Sequence, residues 1–171
     1  MGKGALAMLD FFLNLPLSPE LVSALLASLP VTELRAALPV ALLVFHLSPA
    51  TAYVSTVLGN LIPIPLVFLL LPMVMKLIYT HIPKLDLFLN KRFDALKNKH
   101  GEDYSKWGSF FLFLFVAIPL PGTGVWTGSV LAVLFGIKPR SAILNIVAGL
   151  LTAGLLVLAI TQGVFQGIIL L

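Results

Sequence analysis

The chain has 171 residues, of which 59% are hydrophobic and 11% are charged, and its formal net charge is +4. A soluble globular domain typically has about 25% charged residues, so this composition excludes an ordinary soluble domain. The sequence contains no cysteine, which excludes disulfide bonds and thiolate metal sites.

Three long stretches, residues 36–75, 107–137 and 141–171, contain no Asp, Glu, Lys or Arg. Each exceeds the roughly 20 apolar residues that cross the hydrocarbon core of a bilayer. Their continuous Leu, Val, Ile and Phe content favours helices over the alternating pattern of a β-barrel. The sequence therefore predicts an all-α integral membrane protein.

The first half of the chain predicts two half-length helices followed by a long one. The first is expected to begin after Ser18, with the serine as N-cap and a proline at the first helical position, and to run through residues 21–29. A second short helix is expected over residues 32–47. Residues 49–82 then form a long helix, which the glycine and prolines within residues 59–65 are expected to break.

Two polar or mixed segments flank this region. Residues 1–18 either lie at the membrane interface or form a poor first crossing. Residues 83–106 place apolar side chains at helical spacing among lysines, which predicts either an amphipathic helix on the membrane surface or a solvated loop helix.

The second half repeats the plan of the first. Half-length helices are expected over residues 107–118 and 125–136, separated by a Pro- and Gly-rich break, and a long helix over residues 139–165. Sliding residues 38–70 by ninety positions onto residues 128–160 gives nine identities, which include Phe45/Phe135, Pro49/Pro139 and Gly59/Gly149. We therefore expect one membrane domain with a repeat at residues 19–82, a linker at 83–106 and a second repeat at 107–165.

The basic residues predict the orientation of these repeats. Nine of the eleven basic residues share one side of the membrane only if residues 107–137 enter and leave on that side as a re-entrant hairpin. By the positive-inside rule that side is the cytoplasmic one, and it includes the linker 83–106. The long helices then run in opposite directions, which predicts an inverted repeat of a re-entrant hairpin plus a long transmembrane helix, as in secondary transporters. The nine residues are Lys76, Lys84, Lys91, Arg92, Lys97, Lys99, Lys106, Lys138 and Arg140.

The two helix breaks are the predicted substrate-binding region, and both are expected to lie near the midplane of the membrane. Each presents the N-terminus of a half-helix, where free N–H groups favour an anion, with Thr32 and Thr123 as the expected caps. The alternative is a purely structural hairpin tip with internal caps. The residues assigned to the second tip are Pro121, Gly122, Thr123 and Gly124.

Glu33 and Arg35 are the ionisable residues expected at membrane depth. A charge at the bilayer centre costs about 2.5–3.5 kcal/mol on insertion scales, so such residues usually pair or face a cavity. Because they are two positions apart on a helix, they are not expected to face each other, and each is expected to pair elsewhere. Glu33 is the candidate proton carrier, since burial favours the neutral carboxyl. Arg35 either binds an anionic substrate or acts as the counter-ion of Glu33; the alternative is a packed ion pair near the interface.

Four further residues are candidate substrate contacts: Asn60, Trp126, Thr127 and Asn145. The amides and hydroxyl equally fit interhelical hydrogen bonds, and the tryptophan is expected to pack in the protein rather than to stack on a ligand. The sequence contains no P-loop, no G-x-S-x-G elbow and no H-E-x-x-H motif. No catalytic residue, metal site, cofactor or nucleic-acid partner is predicted.

Three segments resemble the small multidrug export protein family of bacteria and archaea: ELRAALP at 33–39, GN at 59–60 with the prolines that follow, and PLPGTGVWTG at 119–128. The resemblance covers about residues 30–165, and the plan of helices is also similar to that of DedA-like (VTT) membrane proteins. The resemblance implies a transporter in a prokaryotic cytoplasmic membrane. The expected partners are membrane lipids, the transported substrate and a second copy of the chain in a homodimer.

Together with Glu33, the resemblance predicts a small proton-coupled exporter of an amphipathic or anionic small molecule. One alternative is a DedA-like flippase of an anionic, polyprenyl-phosphate-type lipid, in which Arg35 and the half-helix N-termini hold the phosphate. The other is a membrane scaffold that transports nothing.

Overall fold

The computed structural model describes residues 16–81, 108–120 and 122–169, and every regular element in these ranges is helical. The linker 83–106 and nearly all of residues 1–18 lie outside them, so the predictions for those segments stay predictions. The helices are α1 (Pro19–Ser28), α2 (Glu33–Leu43), α3 (Pro49–Leu61), α4 (Pro63–His81), α5 (Gly108–Ala117), α6 (Val125–Leu134) and α7 (Pro139–Ile169).

Serine–proline pairs begin two of these helices, as the sequence predicts. The Ser18 hydroxyl accepts the N–H of Leu21 at 3.5 Å, and Pro19 occupies the first turn, where its missing N–H costs nothing. The Ser48 hydroxyl likewise accepts the N–H of Thr51 at 3.2 Å at the start of α3.

A proline explains where the long first helix breaks. The break lies at Ile62, between α3 and α4, inside the predicted segment 59–65. Pro63 cannot donate a backbone hydrogen bond, and its ring disfavours helical geometry in the residue before it. By length and composition, Pro49–Leu77 is nevertheless a 29-residue apolar helical segment.

Two helical segments are long and apolar enough to cross a membrane, namely Pro49–Leu77 and Pro139–Val164, with mean hydropathies of 2.2 and 2.5. Both carry large apolar side chains on their outer surfaces: Leu69 is 68% exposed, Met73 69% and Leu144 63%. Soluble monomers rarely expose contiguous apolar patches of this kind, whereas lipid acyl chains cover them.

The chain forms two compact units, and the first comprises Met1–Leu61 and Ala153–Leu171. In unit 1, α1 lies directly on α3, because Gly59 packs against the backbone of Ala24 so closely that a Cβ would overlap its carbonyl oxygen. The core of α1 and α2 is formed by Val22, Leu26, Ala27 and Ala37.

Unit 2 comprises Ile62–Thr152. Here α5 lies on α7, because Gly149 packs against the backbone of α5, and a Cβ there would lie 2.7 Å from the carbonyl oxygen of Phe113. Gly128 allows α6 to pack closely on α5, because a Cβ at this position would lie 2.8 Å from Val116 Cγ2. Helix α4 packs on α6.

Each unit thus contains two short helices and a long-helix segment whose glycine touches the first short helix. The glycines, Gly59 and Gly149, are ninety positions apart, and so are the residues of positive φ that follow the second short helix, His46 (52°) and Gly136 (61°). The first turn of each long helix has the same hydrogen bond, from Ala52 N to Ser48 O and from Ala142 N to Lys138 O, both at 2.9 Å.

Candidate functional site at the two helix breaks

The first break joins α1 to α2 through residues 29–32, in unit 1. Thr32 occupies the N-cap position of α2, as predicted, but its side chain does not form the expected cap. Its hydroxyl makes no cap hydrogen bond; it donates backwards, to the carbonyl of Leu26 in the last turn of α1. The Leu26 carbonyl also accepts the N–H of Leu29 at 3.4 Å, so the hydroxyl adds a second hydrogen bond at the end of α1.

Glu33 and Arg35 form an ion pair, with 3.0 Å between Glu33 Oε2 and Arg35 Nη1. The prediction that they would not face each other is therefore wrong. Side chains two positions apart diverge on a regular helix, but Glu33 has a φ of 45°, outside the helical range, which changes the direction of its side chain. The pair is largely buried, with side-chain exposures of 10% for Glu33 and 17% for Arg35.

Asn60, on α3, hydrogen-bonds to the backbone of both helices that meet at this break. It is 2% exposed, and its amide is oriented so that Nδ2 donates to Ala27 O and Oδ1 accepts from Leu34 N, both at 3.1 Å. One side chain therefore satisfies a carbonyl near the end of α1 and an N–H in the first turn of α2. Four of the predicted site residues, Thr32, Glu33, Arg35 and Asn60, thus lie at the first break or hydrogen-bond to the backbone beside it.

The second break, in unit 2, lies between α5 and α6. Thr123 was expected to cap α6 and does not: its hydroxyl donates to the carbonyls of Ile118 and Leu120, both at 2.9 Å. The N-cap of α6 is Gly124, which has no side chain to offer. Gly122 has a φ of 80°, a conformation that glycine adopts without a steric penalty, and Pro121 lies outside the described residues.

Trp126, in the first turn of α6, borders an apolar cavity of about 230 Å³. The other residues lining it are Leu66, Val67, Leu70, Leu71, Val74 and Val130, so it lies between α4 and α6. Thr127 is the next residue of α6 and is half-buried. Asn145, on α7, is also half-buried, and its Nδ2 donates to Ser141 O at 2.9 Å, one turn earlier in its own helix.

Two residues outside the predicted set have unusual environments. Ser129 is fully buried on α6, and within the described part of the chain its hydroxyl has no hydrogen-bond partner. His46 has positive φ and lines a second cavity. The sequence carried a signal for His46, since the ninety-residue shift aligns it with Gly136. In the ranges described, no group of three or more His, Asp or Glu side chains is placed to hold a metal ion.

The family model described as "Putative small multi-drug export protein" matches residues 33–156, which begin at Glu33, directly after the first break, include the second break and end within α7. The chain belongs to this family. The resemblance read from the sequence is thereby confirmed, and the family description indicates an export protein, consistent with two helices able to cross a membrane. No curated protein and no solved structure matches the chain.

Proposed function

We propose that the protein is a small secondary exporter that couples outward movement of an amphipathic substrate to inward movement of a proton bound at Glu33. The observation that carries this proposal is the buried Glu33–Arg35 pair. Of the charged residues that the structure describes, Glu33 is the most buried, with 7% of the surface of the whole residue exposed. Charged groups in the interior of membrane proteins are rare and commonly mark ion and proton paths.

The pair supports a simple exchange mechanism. When Glu33 is ionised, it neutralises Arg35 across 3.0 Å. When Glu33 takes up a proton, it no longer neutralises Arg35, and the remaining positive charge repels a cationic substrate, so that proton and substrate occupy the site alternately, as exchange requires. Glu33 also has positive φ, an arrangement that costs energy in any residue but glycine and occurs disproportionately at functional sites.

The cavity beside Trp126 supports a substrate with an apolar part. It is lined by aliphatic side chains and the indole, and ligand pockets are typically apolar with few polar groups. It lies next to the second break, where the family resemblance is most specific. The family description also favours drug-like substrates.

We further propose that the two halves are copies of one unit inserted in opposite orientations, with residues 107–137 forming a re-entrant hairpin. The spacing of ninety residues between corresponding features supports the repeat: Pro49 and Pro139 begin the long helices, and Gly59 and Gly149 contact the first short helix of each unit. The distribution of basic residues supports the opposite orientations.

Transport by purified protein in liposomes tests the proposed function. Vesicles that are acidic inside should accumulate ethidium, because protons leaving the vesicle drive the probe inward. Ethidium carries a permanent charge, so a pH gradient alone does not trap it. Dissipating the gradient with nigericin should stop the accumulation, and empty liposomes are the control.

Two other results would replace this proposal. Movement of a headgroup-labelled anionic lipid between leaflets, without transport of ethidium, would indicate a DedA-like flippase. Absence of both activities in well-folded protein would favour a scaffold.

A further inference from the structure

We infer that a cavity in unit 1, bordered by the turn between α2 and α3 and by the C-terminal part of α7, binds an amphiphile whose head group carries hydrogen-bond-accepting oxygens. The cavity has a volume of about 260 Å³. This is slightly below the range of about 300–1,000 Å³ that is typical of small-molecule sites, so it suits the head and first carbons of a larger amphiphile.

The lining separates into an apolar and a polar part. The apolar part is aliphatic and consists of Leu42, Leu43, Leu47 and Pro49. An alkyl chain is the ligand group that such a surface favours, because contact removes apolar area from water or from a polar interface. The polar part consists of His46, Thr161 and Gln162.

The polar part favours an oxygen-bearing head group. Imidazole and amide groups each offer an N–H donor, whereas the single hydrogen of the Thr161 hydroxyl is already donated to Val157 O at 2.8 Å. Among the described residues that line the cavity there is no carboxylate, so a cationic head finds no opposite charge. A carboxylate or phosphate oxygen, by contrast, finds donors at His46 and Gln162.

The internal repeat shows that histidine is not required for the turn itself. Gly136, ninety positions after His46, has nearly the same positive φ, 61° against 52°. Glycine adopts this conformation without a steric penalty, whereas a residue with a Cβ is strained, although histidine tolerates it better than most. A strained residue where glycine would suffice points to a role for its side chain, and that side chain lines the cavity.

Decanoate binding tests this inference. Protein in phosphatidylcholine nanodiscs should bind radiolabelled decanoate above the level of empty nanodiscs, and bind decyltrimethylammonium much more weakly. His46→Gly should weaken decanoate binding about five- to tenfold, the effect of losing one hydrogen bond, while the thermal unfolding temperature stays equal or rises because strain is relieved. Gln162→Leu should weaken binding similarly.

Thr161→Val and Thr152→Val form a matched pair of controls. Both threonines donate to the carbonyl one turn earlier, at 2.8 and 2.9 Å, but only Thr161 lines this cavity. Because the hydroxyl hydrogen of Thr161 is already used, we expect unchanged decanoate binding for both variants, in contrast to the loss of an N–H donor at His46 or Gln162. A His46 imidazole NMR signal that responds to phosphatidylglycerol in the bilayer, and not to decanoate, would identify a lipid head group as the source of the same chemistry. Unchanged decanoate affinity in His46→Gly, or equal binding of the cationic probe, would overturn the inference.

Discussion

Replacing Glu33 by glutamine is expected to reduce pH-driven accumulation of ethidium to the level of empty liposomes. Glutamine has nearly the same shape as the protonated carboxyl but cannot exchange a proton, so the coupling step is lost. Downhill movement of ethidium without a pH gradient should fall as well, because glutamine keeps the site in the state of the protonated carboxyl. Both rates can be measured on the same proteoliposomes.

A double variant separates proton coupling from a structural role of the ion pair. Removing one partner of a buried pair costs about 3–5 kcal/mol, so Glu33→Gln alone lowers stability by leaving Arg35 without its carboxylate. Glu33→Gln combined with Arg35→Gln removes both charges and should regain much of the thermal stability. It should not regain pH-driven transport. Recovery of transport together with stability would make the pair a structural element and remove Glu33 from the coupling mechanism.

Gly59→Ala is expected to have the largest effect on folding. The added Cβ would overlap the backbone of Ala24, and backbone atoms cannot move aside as the end of a flexible side chain can. Overpacking typically costs about 1–3 kcal/mol, and we expect this site to reach or exceed the upper end. Thermal unfolding in detergent, monitored by tryptophan fluorescence, should show a strongly lowered midpoint or no folded protein.

Alanine substitutions at two other glycines serve as comparisons for Gly59→Ala. Gly149→Ala should be less harmful, because its Cβ would lie 2.7 Å from the Phe113 carbonyl and 2.9 Å from Val116 Cβ. Gly163, in the C-terminal part of α7, has nothing within 4 Å of a built Cβ, so Gly163→Ala should leave the midpoint unchanged or raise it slightly. A wild-type midpoint for Gly59→Ala would contradict the close packing of α1 on α3.

The helix boundaries could be predicted because they depend on local chemistry. Ser18 and Ser48 each accept an N–H at a helix start, and Pro63 breaks the long segment, all within a few residues in sequence. The hydrogen bonds of the Thr32 and Thr123 hydroxyls were not predicted correctly, because local sequence does not determine their direction. A threonine at a break can bond forwards to the next helix or backwards to the previous one, and the path of the chain through the break decides between them.

The contacts at the first break could not be predicted from the spacing of residues along the sequence. Regular helical geometry separates Glu33 from Arg35, whereas the positive φ of Glu33 brings them together. Asn60 was selected as a polar residue near a break, but its two partners, Ala27 O and Leu34 N, depend on how α1 and α2 pack on α3. His46 was passed over because it clusters with no other histidine; its significance emerged from comparison with Gly136.

The side of the membrane on which each long helix begins tests the account most directly. The chain contains no cysteine, so single cysteines can be placed at Ala50, in the first turn of α3, and at Lys138, just before α7. Membrane-impermeant maleimide should label Ala50→Cys from outside intact cells. It should label Lys138→Cys, and Lys99→Cys in the linker, only after the cytoplasmic face is opened. Labelling of Lys138→Cys from outside, with Lys99→Cys protected, would contradict the re-entrant hairpin and the inverted repeat that depends on it.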